Sequence, residues 1–288
     1  MLNKKQISQY IAPLFPIPTT LRRSGNFKKK IKCMMFDIYG TLFISGSGDI
    51  GIAKKKSPEA YNEAYEQTCE LEQLLIKFKI RKTPKDVLND LFSGIEKKHD
   101  ELKKQGIDFP EVEIDRIWMS ILKNNDPVTV RKFAAMFEMI VNPVYPMPNL
   151  KEMLFACKKS KALLGIISNA QFYTPYLFEW LLDSNLEKLG FHPDLILFSY
   201  RSGHAKPSPF MFQSALERLK HLNVPADSAL YIGNDMLNDI YPAKKTGFNT
   251  ALFAGDARSL RLRKNVPECK TLSSDLIITD LIQLLDYI

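Results

Sequence analysis

The sequence predicts an α/β fold: a doubly wound parallel sheet, interrupted after its first strand by an all-helical segment. Three observations lead there. A short apolar run, Cys33 to Phe36, breaks at Asp37, with Gly40 and Thr41 close behind. Residues 57–140 then carry apolar positions at helical spacing. From residue 149 onward, helix-like and strand-like stretches alternate, the pattern of a parallel sheet with helical crossovers.

The chain divides into a basic arm (1–30), an α/β core (31–50 and 142–288) and a helical insertion (51–141). In the arm, residues 3–12 read as a short helix ended by Pro13, and Pro16 and Pro18 force an extended path. The net charge of +8 belongs to this end of the chain: residues 1–32 hold eight Lys and Arg and no Asp or Glu, leaving 32 basic against 32 acidic residues elsewhere. Such a run can be an electrostatic handle for nucleic acid or anionic lipid. The sparse aromatics favour instead an arm that is solvated or drapes over the body, tacked down by Tyr10, Ile11, Leu14, Phe15 and Ile17. No nucleic-acid or membrane partner is expected.

The first strand is short and wholly apolar, as suits a strand buried on both faces. Its Asp37 falls at the carboxyl end, where open α/β sheets place their ligands. Residues 43–56, with Gly46, Gly48, Gly51 and Lys54 to Lys56, read as a flexible loop, either a flap over a site or a linker. Ser57-Pro58-Glu59 and Thr83-Pro84 are helix starts, and 111–123 and 127–141 give further helices. Three prolines in 142–148 close the insertion. Helices follow over 149–160, 172–182, 207–219 and 238–246, with Gly247 as the last stop. Strands are expected at 163–168, 195–199, 229–233 and 250–253, and a strand–helix tail at 275–285.

No apolar run approaches the roughly 20 residues of a membrane span, and the N-terminus lacks the apolar stretch of a secretory signal. The four cysteines are not at metal-ligand spacing. They favour reduced thiols and a cytoplasmic location.

Four stretches carry chemistry-bearing residues in a fixed order: Asp37-Ile-Tyr-Gly-Thr41, Gly165-Ile-Ile-Ser-Asn169, Ala205-Lys-Pro-Ser-Pro209 and Tyr231-Ile-Gly-Asn-Asp-Met-Leu-Asn-Asp239. Together they resemble the haloacid dehalogenase superfamily of hydrolases over roughly residues 31–255. The resemblance implies a Rossmann-like core, with the insertion as a cap that closes over the site. Asp37 is then the candidate nucleophile, whose attack on phosphorus gives an acyl phosphate. Lys206 neutralises both Asp37 and the incoming phosphate. Thr41, Ser168 and Asn169 offer hydroxyl and N–H groups to phosphate oxygens, although Ser168 or Asn169 serves equally as a helix cap.

Asp235 and Asp239 are four residues apart and near Asp37. Three such carboxylates repel unless a hard cation lies between them, and oxygen ligands suit Mg²⁺. The resemblance makes Asp37, Asp235 and the backbone carbonyl of Tyr39 the direct ligands, with Asp239 supporting from behind or through Lys206. Asp235 and Asp239 as ordinary helix-start residues is the alternative.

One position departs from the pattern. Phosphatases of this superfamily carry a second Asp two residues after the nucleophile, where this chain has Tyr39. A phenol is a poor base at neutral pH, and loss of the acid–base group costs about 10²–10⁴ in rate. Asp-x-Tyr-Gly-Thr instead matches the metal-independent dehalogenases, whereas Asp235 speaks for Mg²⁺. The expectation is a Mg²⁺-dependent hydrolase of a small phosphorylated metabolite, working through Asp37. A 2-haloacid dehalogenase and a weakly active binding protein are the rivals. The substrate is expected to be read by insertion side chains such as Arg116 and Trp118.

Overall fold

The structure, a computed structural model, describes residues 2–27, 29–47 and 64–288. Six parallel strands form the sheet: β1 (Cys33–Phe36), β4 (Leu163–Ser168), β5 (Phe191–Phe198), β6 (Ala229–Gly233), β7 (Asn249–Phe253) and β8 (Leu276–Ile278). Their order is β5-β4-β1-β6-β7-β8. The chain therefore leaves β1 in one direction and returns to build the other side from β6. That reversal makes the carboxyl end of β1 the expected ligand crevice of such a sheet.

Strand alternation explains why β1 is apolar throughout. Met34 and Phe36 join one apolar cluster, and Cys33 and Met35 join the cluster on the opposite face. β6 repeats this, with Leu230 and Ile232 on the first face and Ala229 and Tyr231 on the second. The ladder continues one step beyond β1, since Asp37 N–H donates to Ile232 O at 2.9 Å. Helix α6 (Leu150–Ser160) and α7 (Thr174–Leu182) lie on the first face and, past the short α8 (Ser199–Ser202), α9 (Phe210–His221) and α10 (Tyr241–Lys245) lie on the second. Both faces are covered, as a buried parallel sheet requires.

The insertion contributes α2 (Ala64–Lys77), α3 (Pro84–Lys104), α4 (Ile114–Leu122) and α5 (Pro127–Val141). Thr83 caps α3 through Asp86 N–H, as the sequence suggested. Trp118 lies at the centre of the bundle with ring centroids 4.9 Å from Phe133 and 4.7 Å from Phe137. It is bundle core and does not face a substrate. Arg116 is exposed and paired with Glu113. The expected helix start at Ser57 and the loop of Lys54 to Lys56 lie outside the described residues, as does the boundary at 50/51.

The stretch from Phe43, read as the start of a flexible loop, begins instead with a short strand. β2 (Phe43–Ser45) pairs antiparallel with β3 (Val144–Pro146). A proline at the end of a two-stranded ribbon removes no ladder bond that matters. Asn142 then clasps the neck of the insertion, its Oδ1 accepting from Ser45 Oγ at 2.8 Å and Ser47 Oγ at 2.8 Å. A second seam joins the insertion to the core: Glu111 N–H donates to Gly203 O, and Ala205 N–H donates to Phe109 O.

The arm begins with α1 (Lys4–Ile7) and a 3₁₀ turn, and then runs along the body. Phe15 and Ile17, expected as side-chain anchors, are exposed. Backbone groups hold this segment instead: Ile17 N–H donates to Asp256 Oδ1, and Ile17 O accepts from Ala257 N–H. Further on, Ser24 and Ile277 exchange both backbone hydrogen bonds.

Candidate active site

Strand alternation puts Asp37 on the Met35 face, the face of Tyr231. Lys206, buried in the loop before α9, reaches into the same place. Its Nζ donates to Asp37 Oδ1 at 2.7 Å, Asp239 Oδ1 at 2.6 Å and Tyr231 Oη at 3.1 Å. Three sequence-distant residues, Asp37, Lys206 and Asp239, are thus one buried cluster. Burial alone pushes the ammonium pKa of Lys206 down, but Asp239 and Asp37 outweigh it and hold it above the ordinary lysine value. Lys206 is a fixed positive charge at neutral pH.

Asn169 positions this lysine. Its Oδ1 accepts the Lys206 N–H at 2.7 Å and its Nδ2 donates to Lys206 O at 3.3 Å. Ser168, at the end of β4, is fully buried, with its hydroxyl on Asn169 O. Thr41 donates its hydroxyl to Asn234 Oδ1 at 3.0 Å. The three expected phosphate-binding side chains therefore all lie around the carboxyl ends of β1, β4 and β6. Their polar side-chain groups are engaged with the protein.

Asp239 sits in a wide turn at Met236–Ile240, where both Asp239 N–H and Ile240 N–H reach Asp235 O. An ordinary helix was expected from 238. The wider turn lets the Asp239 carboxylate fold back: Oδ2 accepts from Asn234 N–H and Asp235 N–H, each at 2.9 Å, and Oδ1 accepts from Lys206 and Tyr231. Burial pushes its pKa up to about 6, against the pull of Lys206. With both oxygens taken, Asp239 anchors Lys206 and the turn.

Asp235 caps the same turn, Oδ1 accepting from Leu237 N–H at 2.9 Å and Asn238 N–H at 3.2 Å. It is also paired with Arg263, whose Nη2 lies 2.6 Å from Oδ2 and whose Nε lies 3.2 Å from each oxygen. Among the described residues, no group of three or more His, Cys, Asp or Glu is gathered as a metal site. The expected direct ligands, Asp37, the Tyr39 carbonyl and Asp235, with Asp239 behind them, do not fit a divalent cation as arranged, because the oxygens of Asp235 are already filled by protein donors.

Tyr39 places its hydroxyl 2.9 Å from Thr174 Oγ1, at the start of α7. Burial, then the nearby Glu138, pushes the phenol pKa up. Held this way it is no base at neutral pH.

Three residues were not found from sequence. Tyr231 joins Lys206 to Asp239 and donates to Ile167 O. Asn234 links Thr41 to Ser259 O. Arg263 is the third, and its signal was the alternation Leu260-Arg-Leu-Arg263, which reads as a short extended segment.

The model of the haloacid dehalogenase-like hydrolases matches residues 31–247. Glyceraldehyde 3-phosphate phosphatase of Pyrococcus furiosus is 30% identical over 142 residues, 49% of this chain and 53% of that protein. The rhythmically expressed gene 2 protein of Drosophila melanogaster is 30% identical over 103 residues, 36% of this chain and 37% of that protein. The chain thus spans between about a third and about a half of the length of these curated relatives. In three dimensions it is similar to a HAD phosphatase from Thermococcus onnurineus, with a TM-score of 0.51 at 17% identity over 89% of this chain and 97% of that one. A 2-haloacid dehalogenase from Pseudomonas syringae gives a TM-score of 0.50 at 20% identity with the same coverage. These two likenesses show the shared fold. The family match spans most of the chain and takes in the whole Asp37–Lys206–Asp239 cluster, so this chain belongs to the haloacid dehalogenase-like hydrolases.

Proposed function

We propose that the chain is a phosphoric monoester hydrolase of small phosphorylated metabolites, acting through an aspartyl-phosphate on Asp37. The observation that carries this reading is the buried bond between Lys206 Nζ and Asp37 Oδ1. It fixes the carboxylate and leaves Oδ2 to attack. Attack of Oδ2 on phosphorus forms the O–P bond as the ester O–P bond breaks, and the leaving alkoxide takes a proton from water. Water then attacks the acyl phosphate, returning the Asp37 carboxylate and inorganic phosphate. Lys206 offsets the negative charge that builds on the phosphoryl oxygens. The named phosphatase relative, 30% identical over about half the chain, supports phosphate over halide chemistry.

Mg²⁺ is the cofactor expected of such a phosphatase, but the residues as arranged do not fit it, so no step of this reading runs through a metal. The pairing of Asp235 with Arg263 favours a second reading, a metal-independent 2-haloacid dehalogenase using the same Asp37. The two separate in one assay. Hydrolysis of an aryl phosphate that is lost in Asp37→Asn supports the phosphatase. Halide release from 2-haloacids, indifferent to chelator and without phosphatase turnover, supports the dehalogenase.

A further inference from the structure

We propose that Arg263 is the resident cation of this site: its guanidinium holds Asp235 in a two-pronged ion pair and so excludes a divalent cation until it is withdrawn. The inference deepens the reading of the Asp37 site as a hydrolase centre and concerns what fills its cation position.

Asp235 is fully subscribed. Two carboxylate oxygens offer about four lone-pair directions. Here they face two backbone N–H groups, the Asn238 Nδ2 at 3.2 Å and the Arg263 fork. A divalent cation at 2.0–2.6 Å needs an oxygen free of such donors, and the planar fork of an arginine is the side chain best matched to both oxygens at once.

The arginine is delivered by built structure. Residues 260–263 run beside the 234–236 turn like an added strand: Arg261 N–H donates to Asn234 O at 3.0 Å and Met236 N–H donates to Arg261 O at 2.9 Å. Leu260 and Leu262 pack against a small buried cluster of Met236, Ile240, Leu252 and Cys269. Arg263 itself has a φ of +49°, a left-handed conformation that L-residues seldom adopt. The Val266 N–H to Arg263 O bond, at 2.8 Å, closes the turn that holds it there. Arg263 keeps its side chain partly exposed while Asp235 is buried, so the pair meets solvent on its cationic side.

The charges are balanced around this pair. Lys206 lies between Asp37 and Asp239, and Asp235 depends on Arg263. Without the guanidinium, three carboxylates share one lysine, an arrangement that calls for a cation.

Mn²⁺ is a suitable probe, because the resonance of the free ion reports binding without turnover. The wild-type protein is expected to bind Mn²⁺ weakly, and Arg263→Ala to bind it at least about tenfold more tightly, since a buried carboxylate that loses its partner seeks another. The melting temperature of Arg263→Ala should fall in chelator and recover with Mn²⁺. Adding Asp235→Asn should remove both effects. Arg263→Lys keeps the charge but cannot bridge both oxygens, so it should show a smaller gain and serves if the alanine variant does not fold. Unchanged Mn²⁺ binding in both Arg263 variants overturns the proposal. Absent phosphatase turnover beside intact Mn²⁺ gains would instead overturn the phosphatase reading and leave this one standing.

Discussion

Gly233 and Asp239 are packed so closely that no side chain fits between them: a Cβ on Gly233 would lie 2.3 Å from Asp239 Cγ and 2.5 Å from its Oδ2. That Oδ2 is the oxygen accepting the turn N–H groups, and the same carboxylate steadies Lys206. Gly233→Ala must therefore displace Asp239 and loosen Lys206. Overpacking of this kind costs about 1–3 kcal/mol, and activity should fall further than stability. Urea unfolding and turnover measured side by side test this, and a variant with wild-type turnover would refute it.

Lys206→Met removes the cation shared by Asp37 and Asp239. Breaking a buried ion pair by taking one partner costs about 3–5 kcal/mol. Catalysis should drop by about 10²–10³ or more. Asp239→Asn in the same chain should restore part of the stability and none of the activity. Denaturant unfolding of the single and double variants decides this, and a fully stable Lys206→Met would show that the cluster is not held by its charges.

Tyr39→Phe deletes the hydroxyl bonded to Thr174. The expected loss is about 0.5–1.5 kcal/mol, with turnover nearly unchanged, because the phenol is tied to α7 and its pKa is raised. A collapse in turnover with the fold intact would instead place that hydroxyl in the reaction.

Glu111 seams the insertion to the core. It accepts from Ser199 Oγ at 2.7 Å and from Gln171 Nε2 at 3.1 Å. Burial pushes its carboxyl pKa up, and the bonds from Ser199, the Val112 N–H and Gln171 pull it part of the way back. The folded chain thus holds this proton more tightly than the unfolded chain. Its stabilising contribution is full below the unfolded carboxyl range, about 4.3, and declines as pH rises through the raised folded value. Relative to Glu111→Gln, the wild-type protein should gain stability on going from pH 7 to pH 4. Thermal melts across that range test the sign, and a gap that is constant with pH would contradict it.

Much of the core was legible because its strands are buried on both faces and bounded by turn residues. β4 and β6 have the bounds that their apolar runs suggest. Asp37, Lys206 and Asp239 were readable as partners since each follows a strand or occupies a loop at the same end of the sheet. The wide turn at 236–240 was hidden, because its shape comes from a carboxylate folding back on backbone N–H groups, a tertiary demand that local propensity does not register. The β2–β3 ribbon was hidden by the glycines that follow Ser45 and by the prolines around Val144. Arg263 was missed because its segment is short, and its partner Asp235 already had a plausible role in the residues nearby. The direction of Trp118 was open in the sequence, since its spacing with Ile114 and Ile121 fits a bundle core as well as a substrate-facing position.

The backbone exchange between Ser24 and Ile277 has a consequence for how copies of this chain behave toward one another. β8 is an outermost strand, and an outermost strand offers unpaired N–H and C=O groups to any neighbouring chain. The arm occupies that edge at Ile277, and Gly25 then carries it away with a φ of +87°, so close to the strand that a Cβ would meet Asp275 O at 2.1 Å. The segment that looks from its charge like a handle for polyanions thus also covers the backbone groups that Ile277 would otherwise present to a neighbouring sheet edge.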